Sequence, residues 1–343
     1  MSQKNETAVL LITLLITLGL VGGVLLWLAN STGIKLPGII NNQSQLKKSD
    51  TNSFTEVTNV PSGLFNYGGS TTWAPIRKEI DQAIQTAQPQ FRLRYTDPTT
   101  GAPGSSTGIK MLLDNQLAFS QSSRPIKDEE YQQAQQRGFK LTEIPVAIDG
   151  IAVAINPSLN IPGLTLAQLK NIYTGKITNW QEVGGANLPI IPYSRRLEEG
   201  GTIQFFAENV LEKEKFGASV QFIPTTTQAI RELARNPGGI YYASAPEIVG
   251  QCTVKSLPLG RQADRLVSPY KMPFIPLSEC PQRRNQINTT ALGSGEYPIT
   301  RRLFLIVKEN EQSDRQAGEA YANFLLTDQG QEFIAKAGFV RIR

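Results

Sequence analysis

Histidine occurs nowhere in the 343 residues. Without imidazole there is no Ser-His-Asp triad, no Cys-His nucleophile pair and no route to most catalytic zinc sites. Cysteine is nearly missing as well: Cys252 and Cys280 are the only two, too far apart in sequence to make a CxxC pair. No Walker A loop is present. Carboxylate, lysine or tyrosine chemistry stays open, such as a phosphatase, but the commonest enzymatic routes are closed. The chain therefore reads as a non-enzyme that needs no cofactor and no metal. Its net charge is +5, with the basic residues scattered and no Lys/Arg block interleaved with aromatics, so nucleic acid is not an expected partner. A mild basic excess suits small anions or an anionic surface.

The chain opens on Ala8–Leu28, AVLLITLLITLGLVGGVLLWL, uncharged and apolar on every face. At about 1.5 Å per residue this run crosses the roughly 30 Å hydrocarbon core of a bilayer. Residues after it, Leu28-Ala29-Asn30-Ser31, make a poor cleavage site, and no cysteine follows to take a lipid. The reading is a short tail (1–7), an uncleaved transmembrane anchor (8–28) and a tether (29–60) rich in Asn, Ser, Thr, Gln and Lys. In an exported body, the even cysteine count suggests one disulfide between Cys252 and Cys280; two ordinary thiols are the alternative.

From Leu64 onward, short apolar runs alternate with amphipathic ones. LFNYGG and FRLRYTD read as strands, TTWAPIRKEIDQAIQTA as a helix, and EIPVAIDGIAVAINP as a buried strand broken by Asp149 and Gly150. TLAQLKNIYTGKITNW and GGTIQFFAENVLEKEKFG read as helices, ITRRLFLIVKEN as a late strand, and QAGEAYANFLLTDQGQEFIAKAGF as closing helices. That order predicts an α/β fold with a parallel or mixed sheet. Three helices begin on small, hydroxyl-bearing residues: GGSTTWAP (68–75), GSSTGIK (104–110) and EGGTIQFF (199–206). One such start is a cap. Three of them suggest convergence on an anion, which free N–H groups and hydroxyls at a helix N-terminus would hold. Arg124, in SSRP, and Arg195 and Arg196, in YSRRLEEGGT, add guanidinium groups near those starts.

In this order the segments resemble the phosphate-binding proteins of ABC uptake systems, within the type II periplasmic binding proteins. The resemblance rests on GGSTTWAP, GSSTGIKMLL, SSRPIKDEE, IPVAIDGIAVAINP with TLAQLKNIYTGKITNW, YSRRLEEGGT and YPITRRLFLIVKEN, over most of Pro61–Arg343. It implies two α/β lobes joined by a hinge of two crossover strands, with residues 61–146 and 296–343 in lobe 1 and 147–295 in lobe 2. It also implies a monomer that hands inorganic phosphate, or a similar oxyanion, to ABC permease subunits from the extracytoplasmic side of the membrane. An oxyanion sensor, or an interaction module without ligand, would use the same fold. Carried over by position, Ser70, Thr71, Thr72, Ser105, Ser106 and Ser123 bind the anion from lobe 1. Arg196 is the charged clamp, with Gly201 and Thr202, in lobe 2. Two departures stand out. The third segment has Ser123 where the family's pattern carries an aspartate that accepts the proton of hydrogen phosphate, and Gly200 replaces a serine. Asp149 is either the substitute acceptor or a partner for backbone N–H groups beside Gly150.

Overall fold

The computed structural model describes residues 52–309 and 313–343. The apolar run 8–28 and most of the tether lie outside these, and among the described residues no helix is long and apolar enough to cross a membrane. The first half of the body is β1 (Gly63–Gly69), α1 (Ala74–Ala87), β2 (Phe91–Tyr95), α2 (Ser105–Leu113), β3 (Phe119–Ser122), α3 (Asp128–Gln136) and β4 (Lys140–Ile155). There follow β5 (Leu164–Thr165), α4 (Leu166–Tyr173), β6 (Ile191–Ser194), α5 (Gly201–Asn209), β7 (Gln221–Phe222) and α6 (Thr226–Arg235). Next come β8 (Gly239–Ser244), α7 (Ala245–Ile248), β9 (Lys255–Leu257), β10 (Leu259–Gly260) and α8 (Thr289–Ser294). The chain returns through β11 (Thr300–Glu309) and closes on α9 (Ser313–Leu326) and α10 (Asp328–Lys336).

Local chemistry explains these elements. Helix α1 starts with Pro75 in its first turn and buries Ile76, Ile80 and Ile84, one residue per turn on one face. Strand β4 runs unbroken for 16 residues through Asp149 and Gly150, and every side chain from Asp149 to Ile155 is buried. The predicted break at Asp149-Gly150 is thus a continuous crossing. The helix predicted over 200–217 stops at Asn209, because Glu212 and Lys213 adopt left-handed φ values of 52° and 67°, which end helical propagation.

The strands lie in the order β2-β1-β3-β11-β4-β8-β6-β7, with β9 also on β4. Pairing is parallel at β1/β2, β1/β3, β6/β7 and β6/β8, and antiparallel wherever β4 or β11 takes part. The large hydrophobic cores divide at those two long strands. One gathers Phe65, Trp73, Phe119, Ile144, Ala147, Leu303 and Phe324; the other gathers Ile151, Val153, Trp180, Phe206, Tyr242 and Ile299. Two α/β lobes are therefore strung on β4 and β11. Cys252 and Cys280 form a disulfide, with their Cα atoms 5.7 Å apart.

Candidate functional site

In lobe 1 the site grows from three strand-to-helix turns, placed side by side because β1 and β3 are parallel neighbours. Ser70, at the end of β1, caps the turn Thr71–Trp73, accepting from the Thr72 N–H at 3.3 Å. Its hydroxyl donates to Ser123 Oγ at 3.0 Å. Ser105, the first residue of α2, accepts the Ser123 N–H at 3.0 Å and lies 3.2 Å from Ser123 Oγ. All three serines are buried.

Lobe 2 meets this cluster with the start of α5. A Cβ on Gly201 would stand 2.5 Å from Ser123 Oγ and 2.6 Å from Ser105 Oγ, so only glycine admits such an approach. Thr202 follows, its Oγ1 3.4 Å from that of Thr72. Helices α2 and α5 each open on a glycine in extended conformation, Gly104 and Gly200, and neither N-terminus has a side-chain cap. Both helix starts, with the positive ends of their dipoles, thus lie at the serine cluster.

The charge behind the cluster comes from the crossover. Arg301 on β11 and Asp149 on β4 are directly paired in register. Arg301 Nε and Nη2 donate to Asp149 Oδ2 at 3.0 and 2.9 Å, and Nη2 also reaches Thr202 Oγ1 at 2.8 Å and Thr72 Oγ1 at 3.2 Å. One guanidinium thus touches hydroxyls of both lobes. Its Nη1 is buried without a hydrogen-bond partner. Asp149 Oδ1 accepts from Ser244 Oγ at 2.6 Å. Burial pushes the Asp149 carboxyl up from its ordinary value, opposed by Arg301, the Ser244 hydroxyl and the Ala245 N–H. Beside Thr72 and Thr202 a small enclosed cavity is lined also by Arg195, Thr226, Tyr241 and Glu247. Burial pushes the Glu247 carboxyl up, and the Thr226 hydroxyl works against that.

The structure brings together Ser70, Thr72, Ser105, Ser123, Gly201 and Thr202. Thr71 is exposed at the cavity rim, and Ser106 turns to Gln204 and Arg124. Arg196 does not join them: it is exposed, its guanidinium 5.7 Å from the Phe222 ring. Asp149 faces Arg301 and Ser244, and both its oxygens are engaged there. Arg301 was invisible as a site residue to motif reading, yet strand periodicity carried the signal. It shares the buried face of β11 with Leu303 and Leu305, an improbable place for an unused arginine.

The architecture is thus that of two α/β lobes strung on two crossing strands, with polar helix starts facing each other between them. The chain belongs to the PBP superfamily, whose domain model matches residues 50–329. Among curated relatives, the phosphate-binding protein PstS of Staphylococcus haemolyticus is 27% identical over 276 residues, 79% of this chain and 79% of its own. Two solved structures share the fold. A phosphate-bound protein of Clostridium perfringens, assigned as a phosphate ABC transporter substrate-binding protein, has a TM-score of 0.66 at 24% identity, covering 82% of this chain and all of its own. An ABC-type phosphate transport receptor of Vibrio cholerae has a TM-score of 0.60 at 18% identity, covering 80% of this chain and 99% of its own.

Proposed function

We propose that this chain captures inorganic phosphate between its lobes and delivers it to an ABC permease on the extracytoplasmic side of a membrane. The observation that carries this reading is the meeting of Ser70, Ser105 and Ser123 with Gly201 and Thr202, under Arg301. Hydroxyls, helix-start N–H groups and one guanidinium supply donors on several sides of a tetrahedral oxyanion, at positions fixed by the sheet. Arg301 takes the role of charged clamp in place of Arg196. Asp149 holds Arg301 rather than the ligand, so an acceptor that tells phosphate from sulfate has to come from the hydroxyls, which can accept as well as donate, or from Glu247, which lines the cavity beside Thr72 and Thr202. Residues 8–28 would keep the body at the membrane, and the tether would raise its concentration near the permease.

Calorimetry on protein unfolded, stripped of anion and refolded tests this, with phosphate, sulfate and arsenate as titrants. The expected outcome is micromolar or tighter phosphate binding, about 8 kcal/mol, lost in Arg301→Ala and retained within a few-fold in Arg196→Ala. Absence of heat with every oxyanion would refute the reading.

A further inference from the structure

Arg124 follows directly on Ser123, yet it is only 3% exposed and spends its guanidinium on protein partners. Nη1 and Nη2 fork onto Glu130 at 2.9 and 2.6 Å; Nη1 also reaches the Pro125 carbonyl at 2.7 Å, and Nη2 reaches Ser106 Oγ at 2.8 Å. All these partners belong to lobe 1. Nε alone crosses to lobe 2, donating to Gln204 Oε1 on α5 at 2.6 Å. Gln204, 6% exposed, returns the contact: its Nε2 donates to Ser106 Oγ at 3.0 Å and to the Leu197 carbonyl at 3.2 Å.

We infer that Arg124 and Gln204 form a latch between the lobes that sets how long a captured anion is held. The inference rests on the reading that an anion is trapped there, but the latch lies beside the serine cluster and contacts through Ser106, not through the clustered hydroxyls. Its physical basis is an asymmetry. Glu130 satisfies and fixes Arg124 whether or not Gln204 is present, so the arginine is pre-organised, and closing adds a charge-assisted hydrogen bond at little conformational cost. Opening gives up that bond and the Gln204–Ser106 bond together. Bonds made only after encounter act on dissociation, not on association. Arg124 and Gln204 are therefore positioning residues.

Stopped-flow phosphate kinetics on the full chain tests this. Gln204→Ala should raise the dissociation rate about 10- to 100-fold, leaving the association rate within about threefold. Arg124→Lys keeps the charge beside Glu130 but lacks the Nε donor that reaches Gln204, and should move the dissociation rate the same way. Gln204→Glu keeps the acceptor but loses the donors, and should fall between. A merely structural role would lower ligand-free thermal stability and association instead. An unchanged dissociation rate in Gln204→Ala and Arg124→Lys overturns the latch. If the wild-type chain binds no oxyanion, the phosphate reading fails by itself, and the latch is judged by the distance between spin labels at Glu79 and Glu208. Gln204→Ala must then lengthen or broaden that distribution; an identical distribution overturns it.

Discussion

The Arg301–Asp149 pair carries two duties that substitution can separate. It is almost fully buried, with side-chain exposures of 2% and 0%, so removing one partner strands the other's charge in the interior. Arg301→Met alone should therefore cost about 3–5 kcal/mol of stability. The double variant Asp149→Leu with Arg301→Met removes both charges. It should recover most of that loss, because buried ion pairs replaced by apolar groups are often neutral in stability. It should not recover phosphate binding, since the guanidinium touching Thr72 and Thr202 is gone. Denaturant melts and calorimetry on the same three proteins check both halves. Binding by the double variant would show that Arg301 serves only the fold.

Helix α1 presents a different problem, because its inner face carries a carboxylate. Asp81 accepts from the hydroxyls of Tyr67 and, at 2.8 Å, Tyr321. Burial pushes its carboxyl up to about 6, although the two tyrosines and Arg77 pull it down. A raised acid binds its proton more tightly when folded. Its contribution to stability is thus complete below the unfolded value of 3.8 and is lost as pH rises through about 6. Between pH 4 and 7 the wild type should lose about 1–3 kcal/mol from this group, and Asp81→Asn should show a flatter profile over the same window. Equal slopes from urea melts at each pH would remove Asp81 as the cause. How far the sequence disclosed the elements follows from similar particulars. The four-residue spacing of Ile76, Ile80 and Ile84 and the apolar run ending in β4 were legible because each is a local pattern. The hydroxyl loops were legible because small residues at helix starts are few. Arg301 was not, since its value depends on pairing with Asp149 about 150 residues away in sequence. Arg196 lies exposed beside Phe222, apart from the serines, for the converse reason: nearness to GGT in sequence says nothing of which way a loop turns its side chains.

At the scale of the molecule, the two cores are joined by shared strands rather than by a flexible linker. Strand β4 gives Ile144, Val146 and Ala147 to one core and Ile151 to Ile155 to the other, with no unpaired residue between them. Beyond its β4 pairing, β11 pairs with β3 in lobe 1, while Ile299, just before it, belongs to the other core. Unfolding one lobe alone would strip β4 of half its partners and expose the buried Arg301–Asp149 pair at the junction. Such a partly unfolded state is costly, so the body should unfold in one transition although it has two cores. The expected result is coincident urea curves from probes in each lobe, Trp73 and Trp180 fluorescence measured in Trp27→Phe/Trp180→Phe and Trp27→Phe/Trp73→Phe variants, with equal midpoints. Phosphate at 100 times its dissociation constant should then move both midpoints together, by about 2.7 kcal/mol in free energy. Two separated transitions, with phosphate shifting only one, would mean that the crossing strands act as a hinge without coupling the lobes' stability, and that capture depends on one lobe alone.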